Sequence, residues 1–154
     1  MSESKIAHVV LAHPEAKSFN GTLAGITQQV LGEAGYRTTF SDLYAMDFDP
    51  REGPQHYPTR KDSEVFHTQT EQGHSADREI LPEMIENEIQ RILDCSLLIV
   101  HFPVWWFGMP AILKGWMDRV FVYGRLYRSA VRYDMGRCVG KRMIACVTTG
   151  ASED

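Results

Sequence analysis

Three short runs of branched apolar residues constrain this chain more than any other feature: IAHVVLA from Ile6 to Ala12, SLLIVHF from Ser96 to Phe102 and MIACVTT from Met143 to Thr149. Each has the pattern of a strand covered on both faces. Such strands need helices above and below the sheet, which implies parallel strands joined by right-handed crossovers. A fourth run, YRTTFSDL from Tyr36 to Leu43, alternates more and is expected nearer a sheet edge.

The intervening segments carry helical periodicity. Leu23, Ile26, Thr27, Val30 and Leu31 are expected to share one face of a helix from about Thr22 to Ala34, with Gly35 where a helix C-terminus favours positive φ. Leu81, Ile85, Ile89 and Ile92 make a second stripe, with Pro82 tolerable in its first turn. Ile112, Leu113, Trp116, Met117, Val120 and Phe121 make a third, starting at Pro110. The order of elements predicts an α/β domain, a doubly wound parallel sheet with helices on both faces, and four strands are counted. In such folds ligands bind beyond the carboxyl ends of the strands, so the loops after Ala12, Phe102 and Thr149 are where function is expected. Ala45 to Ala76, with Pro50, Pro54, Pro58, Gly53 and Gly73 and little periodicity, is expected as a long loop that serves as a lid or partner surface.

Length and composition narrow the class. The 154 residues suit a single domain spanning 1–154, and 44% hydrophobic with 23% charged residues is ordinary for a soluble globular protein. A formal charge of -4 gives no basic field to hold a polyanion, so nucleic acid is not expected as a partner. Arg125, Arg128, Arg132, Arg137, Lys141 and Arg142 do cluster locally, broken by Gly124, Gly136 and Gly140. That cluster reads as a solvated loop, with a subsite for a phosphorylated ligand as its rival. Cys95, Cys138 and Cys146 are odd in number and have no C-x-x-C spacing, which points to reduced thiols and a cytoplasmic protein. MSESKIAHVVLAHPE lacks a signal-peptide pattern, and no apolar run approaches about 18 residues, so no membrane span is expected.

Each of the three loops at the carboxyl edge offers different chemistry. In VLAHPEAKSFNGTLAG, Ser18 and Asn20 are capping types just ahead of a helix whose free N–H groups attract a phosphate; plain capping is the competing reading. No G-x-G-x-x-G and no P-loop pattern accompanies them. FPVWWFG, before MPAILKGWMDRVF, puts aromatic surface on a turn, which suits either a platform for a planar ring or plugs for the core beneath it. TTGAS, from Thr148 to Ser152, adds hydroxyls and a glycine from the neighbouring strand end.

VLAHPEAKSFN, SDLYAMDFDP, FPVWWFGMPAILKGWMDRVF and TTGAS together resemble the NAD(P)H:quinone oxidoreductase family, in its flavodoxin-like fold, and occur in the family's order over nearly the whole chain. The resemblance implies a flavoprotein, usually a homodimer, that takes a hydride from NADH or NADPH onto the flavin and passes two electrons to a quinone. It assigns His13, Ser18, Phe19 and Asn20 to the phosphates and adenosine end of the cofactor. It assigns Pro103, Val104, Trp105, Trp106 and Phe107 to the isoalloxazine platform, and Thr148, Thr149 and Gly150 to the pyrimidine edge of the ring. FAD is expected over FMN because SDLYAMDFDP and the extended loop resemble the FAD-binding branch. The family continues with a catalytic tyrosine and histidine, a further strand and a helix. These are expected to lie beyond Asp154, which leaves no catalytic residue to name within 1–154. A second reading comes from relatives that bind and regulate a glutathione-gated potassium efflux system.

Other constellations are weaker. His56, His67 and His74 lack any paired cysteine or H-E-x-x-H spacing, so no metal is expected. No G-x-S-x-G supports hydrolysis. Glu86 and Glu88, two apart on a helix, point to different faces and are expected in solvent.

Overall fold

The computed structural model describes residues 5–150. It contains four strands, β1 (Ile6–Leu11), β2 (Arg37–Asp42), β3 (Leu97–Pro103) and β4 (Arg142–Thr148). The helices are α1 (Phe19–Glu33), α2 (Thr68–Asp77), α3 (Glu83–Asp94) and α4 (Ala111–Val120). Every strand pair is parallel, in the order β2-β1-β3-β4. The alternating strand β2 therefore lies at an edge and the apolar β1 and β3 lie inside, whereas β4, expected to be covered on both faces, forms the other edge with Met143, Ile144 and Val147 exposed.

Side chains alternate across the sheet and supply two cores. On one face Val10, Leu98 and Val100 pack with Ile85, Ile89 and Ile92 of α3 and with Leu113, Trp116 and Val120 of α4. On the other, Ala7, Val9, Leu11, Leu97 and Ile99 pack with Ala24 and Leu31 of α1. The two predicted stripes on α3 and α4 are thus the buried ones.

The stripe on α1 is corrected. Its buried positions are Asn20, Ala24 and Leu31, with Thr27 half-buried, whereas Ile26 and Val30 are exposed. At 3.6 residues per turn, positions 20, 24, 27 and 31 form one narrow line, and 26 and 30 are rotated well away from it. The helix also starts at Phe19, earlier than expected, because Ser18 caps it: Ser18 Oγ accepts from Gly21 N at 3.1 Å. Gly35 takes φ 80° at the far end, as its position predicts.

The long loop is corrected too, since it contains α2. Apolar periodicity does not reveal this helix because polar groups bury it. Glu71 is fully buried and accepts from the N–H groups of Lys61 and Asp62 at 2.8 and 3.2 Å. Gln72 donates to Asp118 O at 3.1 Å and accepts from Tyr123 N at 3.0 Å. Ahead of α2, Asp49 O accepts from Nη1 of buried Arg119 of α4 at 2.6 Å, and that guanidinium lies over the Phe48 ring. Gly115 lets α4 come so close to Pro50 that any Cβ there would overlap its backbone.

Glu88 is the third correction: it is fully buried, not solvated. Its carboxylate accepts from Ser41 Oγ at 2.8 Å, Trp116 Nε1 at 2.8 Å and Arg91 Nη1 at 2.6 Å, with His8 Nε2 at 3.7 Å. One buried charge thereby ties β1, β2, α3 and α4 together. Burying a carboxylate is tolerable only with such a full set of donors. Glu86 is partly exposed and pairs with Arg125.

Candidate functional site

At the carboxyl edge of the sheet the three loops singled out in the sequence meet. The segment after β1 folds back over the start of α1, and Gly21 is needed there because a Cβ would strike Ala16 O. The N–H groups of Phe19 and Asn20 make no hydrogen bond among the described residues. They are unclaimed donors at the positive end of a helix of 15 residues. His13 sits in this loop as a hydrogen-bonded turn residue: its Nδ1 accepts from Glu15 N at 3.0 Å, and its ring lies 6.3 Å from that of Trp105.

Asn20 and Thr148 join two of the loops. Asn20 is buried and its amide donates to Thr148 Oγ1 at 2.8 Å, while its Oδ1 is buried with no partner among the described residues. Thr148 O accepts from Val104 N at 2.8 Å, which brings in the loop after β3. Pro103 is buried at the end of β3, in register with Thr148 of β4, and Thr149 and Gly150, which follow β4, are exposed. Ala151 and Ser152 of TTGAS lie outside the described residues.

The loop after β3 makes a tight turn. Trp105 and Gly108 exchange two backbone hydrogen bonds, of 2.9 and 3.1 Å, and between them Trp106 and Phe107 both adopt the left-handed region, at φ 50° and 62°. Two successive positive φ values define the type I′ geometry, which normally selects Asn-Gly. Bulky residues there cost about 1 to 2 kcal/mol each. The Trp106 and Phe107 side chains are 96% and 98% exposed, and their N–H groups have no partner among the described residues. They are therefore not core plugs. A strained turn of this kind leaves two rings and two main-chain donors free for a contact that the described residues do not supply.

The sequence reading missed the layer beneath. His101, two residues before Pro103, is buried; its Nε2 meets Thr27 Oγ1 at 3.2 Å and its Nδ1 has no partner among the described residues. Burial pushes its pKa below the ordinary histidine range, which keeps the ring neutral. The polar interruption of SLLIVHF by His101 was the available signal. Residues of the basic cluster go elsewhere: Arg125 pairs with Glu86, Arg128 with Asp77, and Lys141 donates to Leu93 O and Cys95 O at 2.6 Å. His56 and His67 serve their own loops, on Arg51 O and Thr70.

Four parallel strands in this order, with a polar and aromatic cradle at their carboxyl edge, define a doubly wound α/β protein of flavodoxin-like architecture, and the chain belongs to the flavodoxin-like fold family, whose model matches residues 5–154. In sequence it is 39% identical over 153 residues to a ribosyldihydronicotinamide dehydrogenase [quinone] of Pongo abelii, covering 95% of this chain and 64% of that protein. It is 38% identical to NAD(P)H dehydrogenase [quinone] 1 of Cavia porcellus, covering 99% of this chain and 56% of that protein. In structure it is similar to a Klebsiella pneumoniae protein assigned as a quinone reductase, with TM-score 0.85 and 30% identity, over 96% of this chain and 60% of that one. The chain thus spans less than two thirds of the length of these relatives.

The cradle fits a flavin nucleotide on its own chemistry. The unclaimed N–H groups of Phe19 and Asn20 suit phosphate oxygens, and the orphaned Oδ1 of Asn20 suits a hydroxyl or ring N–H. The exposed rings and free N–H groups of Trp106 and Phe107 suit a planar, polar-edged ring system.

Proposed function

We propose that the chain is the flavin-binding part of an NAD(P)H:quinone oxidoreductase. The observation that carries this reading is the Trp106–Phe107 turn, strained, solvent-facing and with both amide donors free. A bound flavin supplies a centre that accepts two electrons as hydride from NADH or NADPH and yields them to a quinone. The residues of this chain bind and orient. Phe19 and Asn20 hold the phosphates by their main-chain N–H groups at the head of α1. Trp106 and Phe107 donate to the polar edge of the ring, where charge grows on reduction, and their side chains exclude water from one side of it. Trp105 and Pro103 floor the site, and Thr148, Thr149 and Gly150 face the pyrimidine edge.

The finer assignments follow the same reading. FAD is preferred to FMN on the likeness to the quinone dehydrogenases of animals. A homodimer is proposed because Tyr133 and Met135 are largely exposed, apolar surface that a second copy would cover. The proposed compartment is the cytoplasm, where three free cysteines would stay reduced. Among the described residues no helix is long and apolar enough to cross a membrane.

The test is a titration of purified protein with FAD and with FMN, followed by absorption and by chromatography of the released cofactor. Menadione-dependent oxidation of NADH and NADPH is then measured on the loaded protein. Uptake of FAD with menadione turnover supports the reading, and failure to take up either flavin overturns it.

A further inference from the structure

α2, the segment before it and the turn after α4 line an open cavity of about 290 Å³ whose lining includes Lys61, Thr70, His74, Asp77, Arg78 and Tyr123. Its charge is one-sided. Asp77 is the only carboxylate on the wall, and it is engaged by Arg128. Neither Lys61 nor Arg78 has a carboxylate within ion-pair reach among the described residues. Two cations without an ion-pair partner, Lys61 and Arg78, thus share the wall with one carboxylate that is already paired, on a chain whose net charge is -4. A wall of one sign in a concavity concentrates counter-ions of the other.

The cavity is also built rather than incidental. Buried Glu71 grips the main chain at Lys61 and Asp62 and holds Arg60 at 3.3 Å, so the segment that carries Lys61 is fixed to α2. Gly73 lets the Tyr123 ring lie against the helix; a Cβ there would meet it at 3.1 Å. The Tyr123 hydroxyl is held by Ser129 Oγ at 3.2 Å. His74 contributes to the wall, and its Nε2 is buried with no hydrogen-bond partner among the described residues, the kind of polar atom that folded proteins leave unpaired only where something else satisfies it.

We infer that this cavity binds a phosphate group, through Lys61 and Arg78 as charges and the His74 ring as a hydrogen-bond donor. Its size lies at the bottom of the roughly 300 to 1,000 Å³ range of small-molecule pockets, which suits a tetrahedral oxyanion or one phosphorylated end of a longer ligand. The inference is independent of the flavin reading, because none of these residues belongs to the cradle.

Calorimetric titration with inorganic phosphate at constant ionic strength tests it, on purified protein as isolated. A saturable site with Kd near 1 mM is expected, about 4 kcal/mol of binding. Lys61→Gln/Arg78→Gln should weaken it by about tenfold or more, with each single variant intermediate and His74→Ala also weakened, while Arg37→Gln on distant β2 leaves it unchanged. Glycerol 3-phosphate is titrated in parallel: equal binding assigns the site to phosphate esters, and binding of inorganic phosphate alone assigns it to the free ion, either of which upholds the site. Non-saturating heats in the wild type, or the same Kd in the double variant and in Arg37→Gln, would overturn it. Thermal melts of every variant check that the fold survives, His74 being half-buried and Lys61, Arg78 and Arg37 exposed.

Discussion

The amide of Asn20 donates to the hydroxyl of Thr148 at 2.8 Å, across 128 residues of sequence. Thr148 in turn takes the N–H of Val104 through its carbonyl. The three loops of the cradle are therefore joined in series, and the spacing between helix terminus and aromatic turn is set by protein contacts. A double-mutant cycle with Asn20→Ala and Thr148→Val should show a coupling of about 1 kcal/mol in urea unfolding, the net value of one neutral hydrogen bond. Strict additivity of the two substitutions would show that the bond does not join the loops energetically.

The aromatic turn should respond with opposite signs to one substitution. Trp106→Asn/Phe107→Gly installs the residues that type I′ geometry prefers. Relief of strain should raise the stability of the flavin-free protein by about 1 to 3 kcal/mol. Flavin affinity should fall, because both rings are gone although the main-chain donors remain. A variant that is less stable without flavin, as measured by its urea midpoint, contradicts the assignment of strain.

Trp106→Ala separates platform from packing. With the indole 96% exposed, its loss should change the stability of the flavin-free protein by no more than about 0.5 kcal/mol. The increment that saturating flavin adds to the melting temperature should shrink, since that increment follows the dissociation constant. Unchanged increments in wild type and variant would remove Trp106 from the binding surface.

The pH dependence of stability should be traceable to Glu88. Burial alone would raise its pKa, but His8, Trp116 and Ser41 outweigh burial and hold the carboxyl below its ordinary value. An unfolded glutamate titrates near 4.3, so the stabilisation is complete above that pH and is lost as pH falls through the lower folded value. Glu88→Gln should cost about 1 to 3 kcal/mol at neutral pH, as the buried carboxylate that accepts from Ser41, Trp116 and Arg91 is replaced by an amide. Urea midpoints at about pH 6 and pH 3 should differ less in Glu88→Gln than in wild type. An undiminished difference would assign the acid sensitivity to other carboxylates.

The contrast between these residues shows what sequence alone could disclose. Strands β1 and β3 were legible because Val9, Val10, Ile99 and Val100 are buried apolar residues in unbroken runs. α2 was not, because its buried side chains Glu71 and Gln72 satisfy backbone groups distant in sequence, and no periodicity encodes such partners. Glu88 escaped for the same reason: a glutamate on a helix looks alike in water and in a ring of donors. For the cradle, residue types suggested a ring-binding surface, yet platform and plug became distinguishable only with the left-handed φ of Trp106 and Phe107. The Asn20–Thr148 bond and the half-empty hydrogen bonding of His101 belong to the same class of long-range facts.

The parallel order β2-β1-β3-β4 also sets a timetable for synthesis. β1 lies between β2 and β3, and Ser96 at the head of β3 reaches back 90 residues to Ile6. At about 5 to 20 residues per second, a ribosome takes roughly 5 to 18 seconds to deliver that partner. Through this interval Ala7, Val9 and Val10 have only β2 beside them, and an isolated two-stranded sheet is marginal in water. The nascent chain thus carries a naked apolar strand edge, the form most prone to misassociation and most readily captured by a holding chaperone.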